Sequence, residues 1–244
     1  AVGRRAAWLN ARLIAADLRH VGIDACCLPV LDMQFAGASS VVGDRAFSAD
    51  VENVAELGRA AAEGLLAGGV LPVIKHMPGH GRATSDSHYS LPRVDASLGE
   101  LENIDFWPFR ALNDMPIGLT AHVCYQALDA DLPGTLSAKV IATAIRGAIA
   151  FDGLLLSDDL SMQALSGTLG ERAGAALAAG CDVVLHCNGQ PEEMADIADK
   201  VVELSPTALR RWTIAKNMKS EDKLKNFNDL LDEFNILMKN NLRA

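Results

Sequence analysis

Basic charge is the first thing this sequence has little of. Its 244 residues carry 22 Lys and Arg against 31 Asp and Glu, a formal net charge of −9. The cations are scattered, apart from a Lys-rich stretch near the C-terminus that neighbouring acids offset. Phosphate backbones require clustered cations, so nucleic acid is not an expected partner. No apolar run reaches transmembrane length, and no basic segment followed by an apolar core opens the chain. Neither a membrane partner nor a secretory leader is therefore expected. Cysteine is sparse and odd in number. Cys26, Cys27, Cys124, Cys181 and Cys187 sit mostly inside apolar runs, which predicts buried, reduced thiols and a cytoplasmic location. Repeats and low-complexity linkers are missing too, so residues 1–244 read as one domain, helical from about residue 191.

What is present is an alternation. Half of the residues are hydrophobic, enough for a sizeable core. Helical spacing over Ala6–Leu18 precedes an apolar strand at Ile23–Leu31. A helix from Asp50 or Val51 to Leu66, stopped by Gly68-Gly69, leads to a strand at Val70–Ile74. A helix over Leu98–Leu112, interrupted by Pro108, precedes a strand at Pro116–Tyr125. Ser137 caps a helix through Ala150, followed by a strand at Gly153–Leu156. A helix at Glu171–Ala179 and a strand at Asp182–Cys187 complete the series, with a final amphipathic helix at Leu224–Leu242. Strands that alternate with helices predict an α/β fold with a parallel sheet.

The polar residues follow the strands. Asp32, Lys75, His76, His122, Asp158, Asp159 and Asn188 lie at or just past strand C-termini, where β/α barrels and open parallel sheets collect catalytic groups. The densest cluster runs from Lys75-His76-Met77-Pro78-Gly79-His80-Gly81 to Asp86-Ser87-His88. In an extended Asp-Ser-His segment the first and third side chains share a side. A carboxylate there fixes the imidazole tautomer and raises its basicity for proton exchange near neutrality. Gly79 and Gly81 let the segment bend and move. In Ser157-Asp158-Asp159, a carboxylate at the mouth of an apolar strand suits a nucleophile or an electrostatic stabiliser, or else caps the next turn. Lys75 and His76 suit the hydroxyls of a substrate, and Arg45 of Gly43-Asp44-Arg45 follows a loop long enough to join them.

Taken together, Lys75-His-Met-Pro-Gly-His-Gly, Asp86-Ser-His88 and Leu155-Leu-Ser-Asp158-Asp-Leu-Ser-Met162 resemble the β-N-acetylglucosaminidases of glycoside hydrolase family 3. Supporting matches are Pro29-Val-Leu-Asp32, Gly43-Asp-Arg45, Ala121-His-Val123, Phe151-Asp-Gly153 and Ala179-Gly-Cys-Asp182, so the resemblance extends from about residue 8 to at least residue 190. It implies a TIM-type (β/α)8 barrel and a retaining glycosidase of bacterial cell-wall recycling. Its substrate would be a small molecule, an N-acetylglucosamine-containing muropeptide, with no cofactor and no metal. It also implies roles: Asp158 attacks the anomeric carbon, His88 is the general acid/base, Asp86 supports it, and Arg45, Lys75 and His76 bind the sugar. A carboxylate-supported imidazolium can replace the second carboxyl of an ordinary glycosidase. It also spares an incoming phosphate a second anion, which leaves phosphorolysis beside hydrolysis.

Two features depart from the family pattern. About five strands are expected where a barrel has eight, and the family's Asp-x-Glu-Gly-Gly-Arg motif is absent. The expectation is a partial barrel of about five βα units, a piece of a longer chain that hydrolyses slowly or not at all alone. Met77 stands where the family commonly has an aromatic, a change that should only repack the loop. Two other readings remain: a non-catalytic remnant that binds sugar or a partner protein, and a metal-dependent barrel hydrolase using His76, His80, His88 and Asp86.

Overall fold

The structure is a computed structural model in which residues 1–219 and 227–241 are described. Among the described residues the strands are β1 (Ala25–Cys26), β2 (Leu71–Met77), β3 (Arg93–Val94), β4 (Ile117–Thr120), β5 (Cys124–Tyr125), β6 (Leu154–Asp159) and β7 (Val183–Leu185). The helices are α1 (Val2–His20), α2 (Val51–Ala67), α3 (Leu98–Glu100), α4 (Trp107–Ala111), α5 (Ala138–Val140), α6 (Leu169–Ala179), α7 (Pro191–Ala198), α8 (Pro206–Asn217) and α9 (Phe227–Asn241). Wider π-type turns continue α3 over Leu101–Asp105 and α5 over Ile141–Ala148.

Five strands form one parallel sheet in the order β1-β2-β4-β6-β7. It curls into half of a barrel with helices, the partial TIM-type architecture expected from the sequence. Alternate residues go to opposite faces. Leu71 and Val73, Ile117 and Leu119, Leu154 and Leu156, and Val183 and Leu185 form one face, which Trp212 and Ala215 of α8 cover. Ile74 and Leu155 belong instead to the larger core with Phe106, Phe109, Ile145 and Phe151. Ion pairs fix the middle of α8 and the residues just after it: Arg211 to Asp182 at 2.9 Å, Arg210 to Asp152 at 2.8 Å, and Lys219 to Asp24 at 3.2 Å.

The helix ends follow the sequence. Asp50 caps α2 by accepting the Asn53 N–H at 2.9 Å, and Thr168 and Glu171 form a capping box on α6. Gly180 closes α6 at φ +117°, a backbone conformation that favours glycine. Several boundaries differ from expectation. The Ile23–Leu31 run pairs as a strand only over Ala25–Cys26, with Val30 forming an isolated bridge to Lys75. β2 runs on to Met77 and β6 to Asp159, so Lys75, His76, Asp158 and Asp159 lie within strands rather than after them. The run Pro116–Tyr125 divides: β4 stays in the main sheet, while β5 pairs with β3 in a separate parallel ladder. Pro108 does not interrupt a long helix but stands in the first turn of α4, where its missing N–H costs nothing. Of the expected final helix, Leu224 and Leu242 lie outside the described residues; α9 covers most of the rest. All five cysteines are free, but only Cys124 and Cys181 are buried. Cys27 and Cys187 are exposed and Cys26 half-buried, because strands at the two sheet edges lack a covering neighbour.

Candidate active site

Asp32 organises the site. Its carboxylate, 1% exposed, accepts the Nδ1–H of His76 at 2.6 Å, the backbone N–H of His80 at 2.7 Å and that of His76 at 3.3 Å. Complete burial pushes this carboxyl up, but the His76 charge and hydrogen bond, with help from His80, outweigh it and hold the carboxyl below its ordinary value. With Nδ1 committed to Asp32, His76 turns Nε2 toward Asp158, 4.0 Å from Oδ2. His80 meets His76 edge-on with ring centroids 5.6 Å apart and reaches Ser87 Oγ at 3.3 Å.

Asp158 ends the apolar run of β6 and is 8% exposed. Desolvation raises its carboxyl, yet His76, His122, the Asp159 N–H and Lys75 together hold it below the ordinary value, so it is a carboxylate at neutral pH. A chain of hydrogen bonds fixes its backbone. The Asp158 N–H donates to Thr120 Oγ1 at 3.3 Å, Thr120 and Thr135 share a bond of 2.8 Å, and Thr135 reaches His122 Nδ1 at 2.7 Å. His122 Nε2–H returns to the Asp159 carbonyl at 2.9 Å. That donation makes Nδ1 the acceptor in a neutral ring, and burial holds the His122 pKa down accordingly.

Asp86 and His88 form the expected pair. Asp86 Oδ1 accepts the His88 backbone N–H at 2.9 Å and lies 2.7 Å from Nδ1. These bonds hold the Asp86 carboxyl low against a desolvation that raises it. The imidazole is exposed, with Nε2 left for exchange with solvent or substrate. A cleft of about 120 Å³ is lined by Val41, Val42, Arg45, Lys75, His76, His80, Ser87, His88, Asp158 and Met162. Arg45, Lys75, His76, His88 and Asp158 thus share one cavity, with Asp86 bound to His88 beside it. Asn188 is not brought there; its amide donates to Glu193 at 3.3 Å. Asp159 turns away as well, accepting Ser161 Oγ–H at 2.6 Å and the Cys187 N–H at 3.2 Å. A larger groove of about 520 Å³ between β7 and α7 is mostly apolar, and His186 is its one imidazole. Its Asp182 is taken by Arg146 and Arg211 and its His186 by Glu193, whereas the smaller cleft brings Asp158 and His88 together and is the candidate site.

The grip of Asp32 on two histidines was not readable from sequence, although its place after Pro29-Val30-Leu31 marked it as a strand-end carboxylate. The Thr120–Thr135–His122 chain left no signal beyond ordinary threonines. The four groups a metal-dependent hydrolase would combine are divided: His76 is taken by Asp32, His88 by Asp86, and His80 faces Ser87. Among the described residues no group of three or more His, Cys, Asp or Glu is placed to hold a metal ion.

The model of the glycosyl hydrolase family 3 N-terminal domain matches residues 5–212. The chain belongs to glycosyl hydrolase family 3. A β-hexosaminidase of Chromobacterium violaceum is 44% identical over 185 residues, covering 74% of this chain and 51% of that protein. One of Alkalilimnicola ehrlichii is 42% identical over 200 residues, covering 80% and 57%. The crystal structure of NagZ from Neisseria gonorrhoeae in complex with N-trifluoroacetyl-D-glucosamine superposes with a TM-score of 0.83 at 33% identity, covering 96% of this chain and 70% of that one. This family 3 chain therefore spans about half the length of the curated relatives it matches.

Proposed function

We propose that residues 1–244 form the catalytic part of a retaining β-N-acetylglucosaminidase that removes terminal N-acetylglucosamine from peptidoglycan fragments in the cytoplasm. The observation that carries this reading is a cleft whose walls include both a buried carboxylate, Asp158, and a carboxylate-supported imidazole, His88. Asp158 attacks the anomeric carbon while the bond to the leaving oxygen breaks and His88 Nε2–H protonates that oxygen. The imidazole then takes a proton from water, the water oxygen bonds to the anomeric carbon, and the Asp158 carboxylate departs. Asp86 stabilises the imidazolium and fixes its tautomer, leaving Nε2 as the exchanging nitrogen. Arg45, Lys75 and His76 bind the sugar hydroxyls. The family membership and the hexosaminidase relatives support the substrate class.

The test is turnover of 4-nitrophenyl N-acetyl-β-glucosaminide by wild type, Asp158→Asn and His88→Ala. Loss in Asp158→Asn with retained N-acetylglucosamine binding supports the reading, and undiminished turnover in that variant overturns it. A second reading, a remnant that binds sugar without cleaving it, draws on the five-stranded half-barrel. It predicts binding with no turnover by any version of the protein, including one extended to the length of its relatives.

A further inference from the structure

We propose that the Arg82–Asp105 ion pair is the positioning element that holds the Asp86–His88 dyad over Asp158. The proposal rests on the dyad reading given above. The loop that leaves β2 is gripped at three points near its root. The His80 N–H donates to Asp32 at 2.7 Å, the Tyr125 hydroxyl donates to the Gly79 carbonyl at 2.9 Å, and Arg82 Nε donates to both oxygens of Asp105 at 2.8 and 3.1 Å. Arg82 is the last of these anchors before the chain turns out to Asp86. Its guanidinium also lies 4.3 Å over the Phe35 ring, so it is fixed from two directions. Asp105 belongs to the body of the fold: it is 2% exposed and ends the π-type turn beyond α3.

The backbone is pressed onto these anchors. A Cβ on Gly79 would stand 3.0 Å from Asp105 Cβ, and one on Gly81 only 2.1 Å from the Met33 carbonyl oxygen. Past Arg82, the Ala83 N–H turns back to the His80 carbonyl at 3.0 Å, and the backbone bonds that leave the loop go to other loops: Ser39 N–H to the Ala83 carbonyl at 2.8 Å, Ala164 N–H to that of Ser87 at 3.2 Å, and Gln163 N–H to that of His88 at 3.4 Å. Without the Arg82 tie, the dyad would take its position from neighbouring loops and from the long His80–Ser87 contact at 3.3 Å. Burying the carboxylate is costly, since desolvation pushes the Asp105 carboxyl up to about 6 despite its arginine. A buried ion pair contributes little net stability against apolar replacements, so placement of the loop is the better explanation for keeping one here.

The test is amide hydrogen exchange of the folded chain, comparing Arg82→Gln, Arg82→Lys and Asp105→Asn with wild type. In the regime where exchange follows local opening, both neutral variants should speed exchange over residues 83–91 roughly tenfold, while β2 and β4 amides keep wild-type rates. Arg82→Lys restores charge but not the two-oxygen contact, and should recover only part of the protection. Uniform acceleration through the sheet, unchanged loop exchange, or full rescue by lysine would each overturn the proposal. Should Asp105→Asn not fold, the two Arg82 variants decide alone. On the aryl glycoside, the neutral variants should lower kcat with little change in KM. Absence of turnover even in a version extended to the length of its relatives would count against the glycosidase reading and leave the exchange result to judge the ion pair.

Discussion

Replacing Asp32 with alanine removes the acceptor for three buried donors: the His76 ring at 2.6 Å and the backbone N–H groups of His80 and His76 at 2.7 and 3.3 Å. Each unsatisfied buried donor costs about 1–3 kcal/mol. Loss of the desolvation penalty of a buried carboxylate offsets part of this. The net expectation is a destabilisation of about 3–5 kcal/mol, the range for removing one partner of a buried pair. Urea unfolding at pH 7 measures it, with an unchanged slope required for the comparison. The folded-state carboxyl is held below its ordinary 3.8. Its contribution is therefore complete above about pH 5 and lost as pH falls through the folded value. Wild type and variant should converge in acid. A loss under about 1 kcal/mol at pH 7, or a gap that widens in acid, would refute the claim that Asp32 holds the site together.

Asp105→Asn should flatten a different part of the pH profile. A carboxyl raised from 3.8 to about 6 binds protons more tightly in the folded state. Wild type should therefore lose about 3 kcal/mol of this group's contribution as pH rises from about 4 to about 6, a slope the variant lacks in thermal unfolding. Gly81→Ala should destabilise by about 2 kcal/mol or more or prevent folding, because the new Cβ meets the Met33 carbonyl. Gly99→Ala, on α3 with open space around it, should be neutral or gain up to about 1 kcal/mol by the same urea assay. The chain by itself, lacking the three strands that close a barrel, should turn over the aryl glycoside far more slowly than a version extended to the length of its relatives; equal rates would show that five strands suffice.

The parallel sheet was legible because its strands, covered on both faces, read as short continuous apolar runs such as Val70–Ile74 and Leu154–Leu156. The strand-end rule was legible for the same reason: a polar residue at the end of such a run has few places to go but the rim. What failed were features decided by tertiary contacts. The division of Pro116–Tyr125 depends on β5 pairing with a two-residue partner, Arg93–Val94, too short to leave a periodic signal. The long helix expected at Leu98–Leu112 broke up because the chain there widens into a π-type turn that delivers Asp105 to Arg82, at the root of the loop carrying Asp86 and His88. Val41, Val42 and Met162 reached the cleft from loops, where sequence pattern carries no positional information. The exposed Cys27 and Cys187 came out wrong because apolar neighbours in sequence do not reveal an uncovered sheet edge.

The measurement closest to the centre of this account is peptide mass analysis after incubation with a slowly hydrolysed fluorinated N-acetylglucosaminide bearing a good leaving group. Such a reagent needs little acid assistance and reports chemistry that is slow in steady state. The predicted result is a single sugar attached to the peptide containing Asp158, lost in Asp158→Asn and still formed in His88→Ala. A sugar on any other carboxylate, or turnover without an Asp158 adduct, would contradict it.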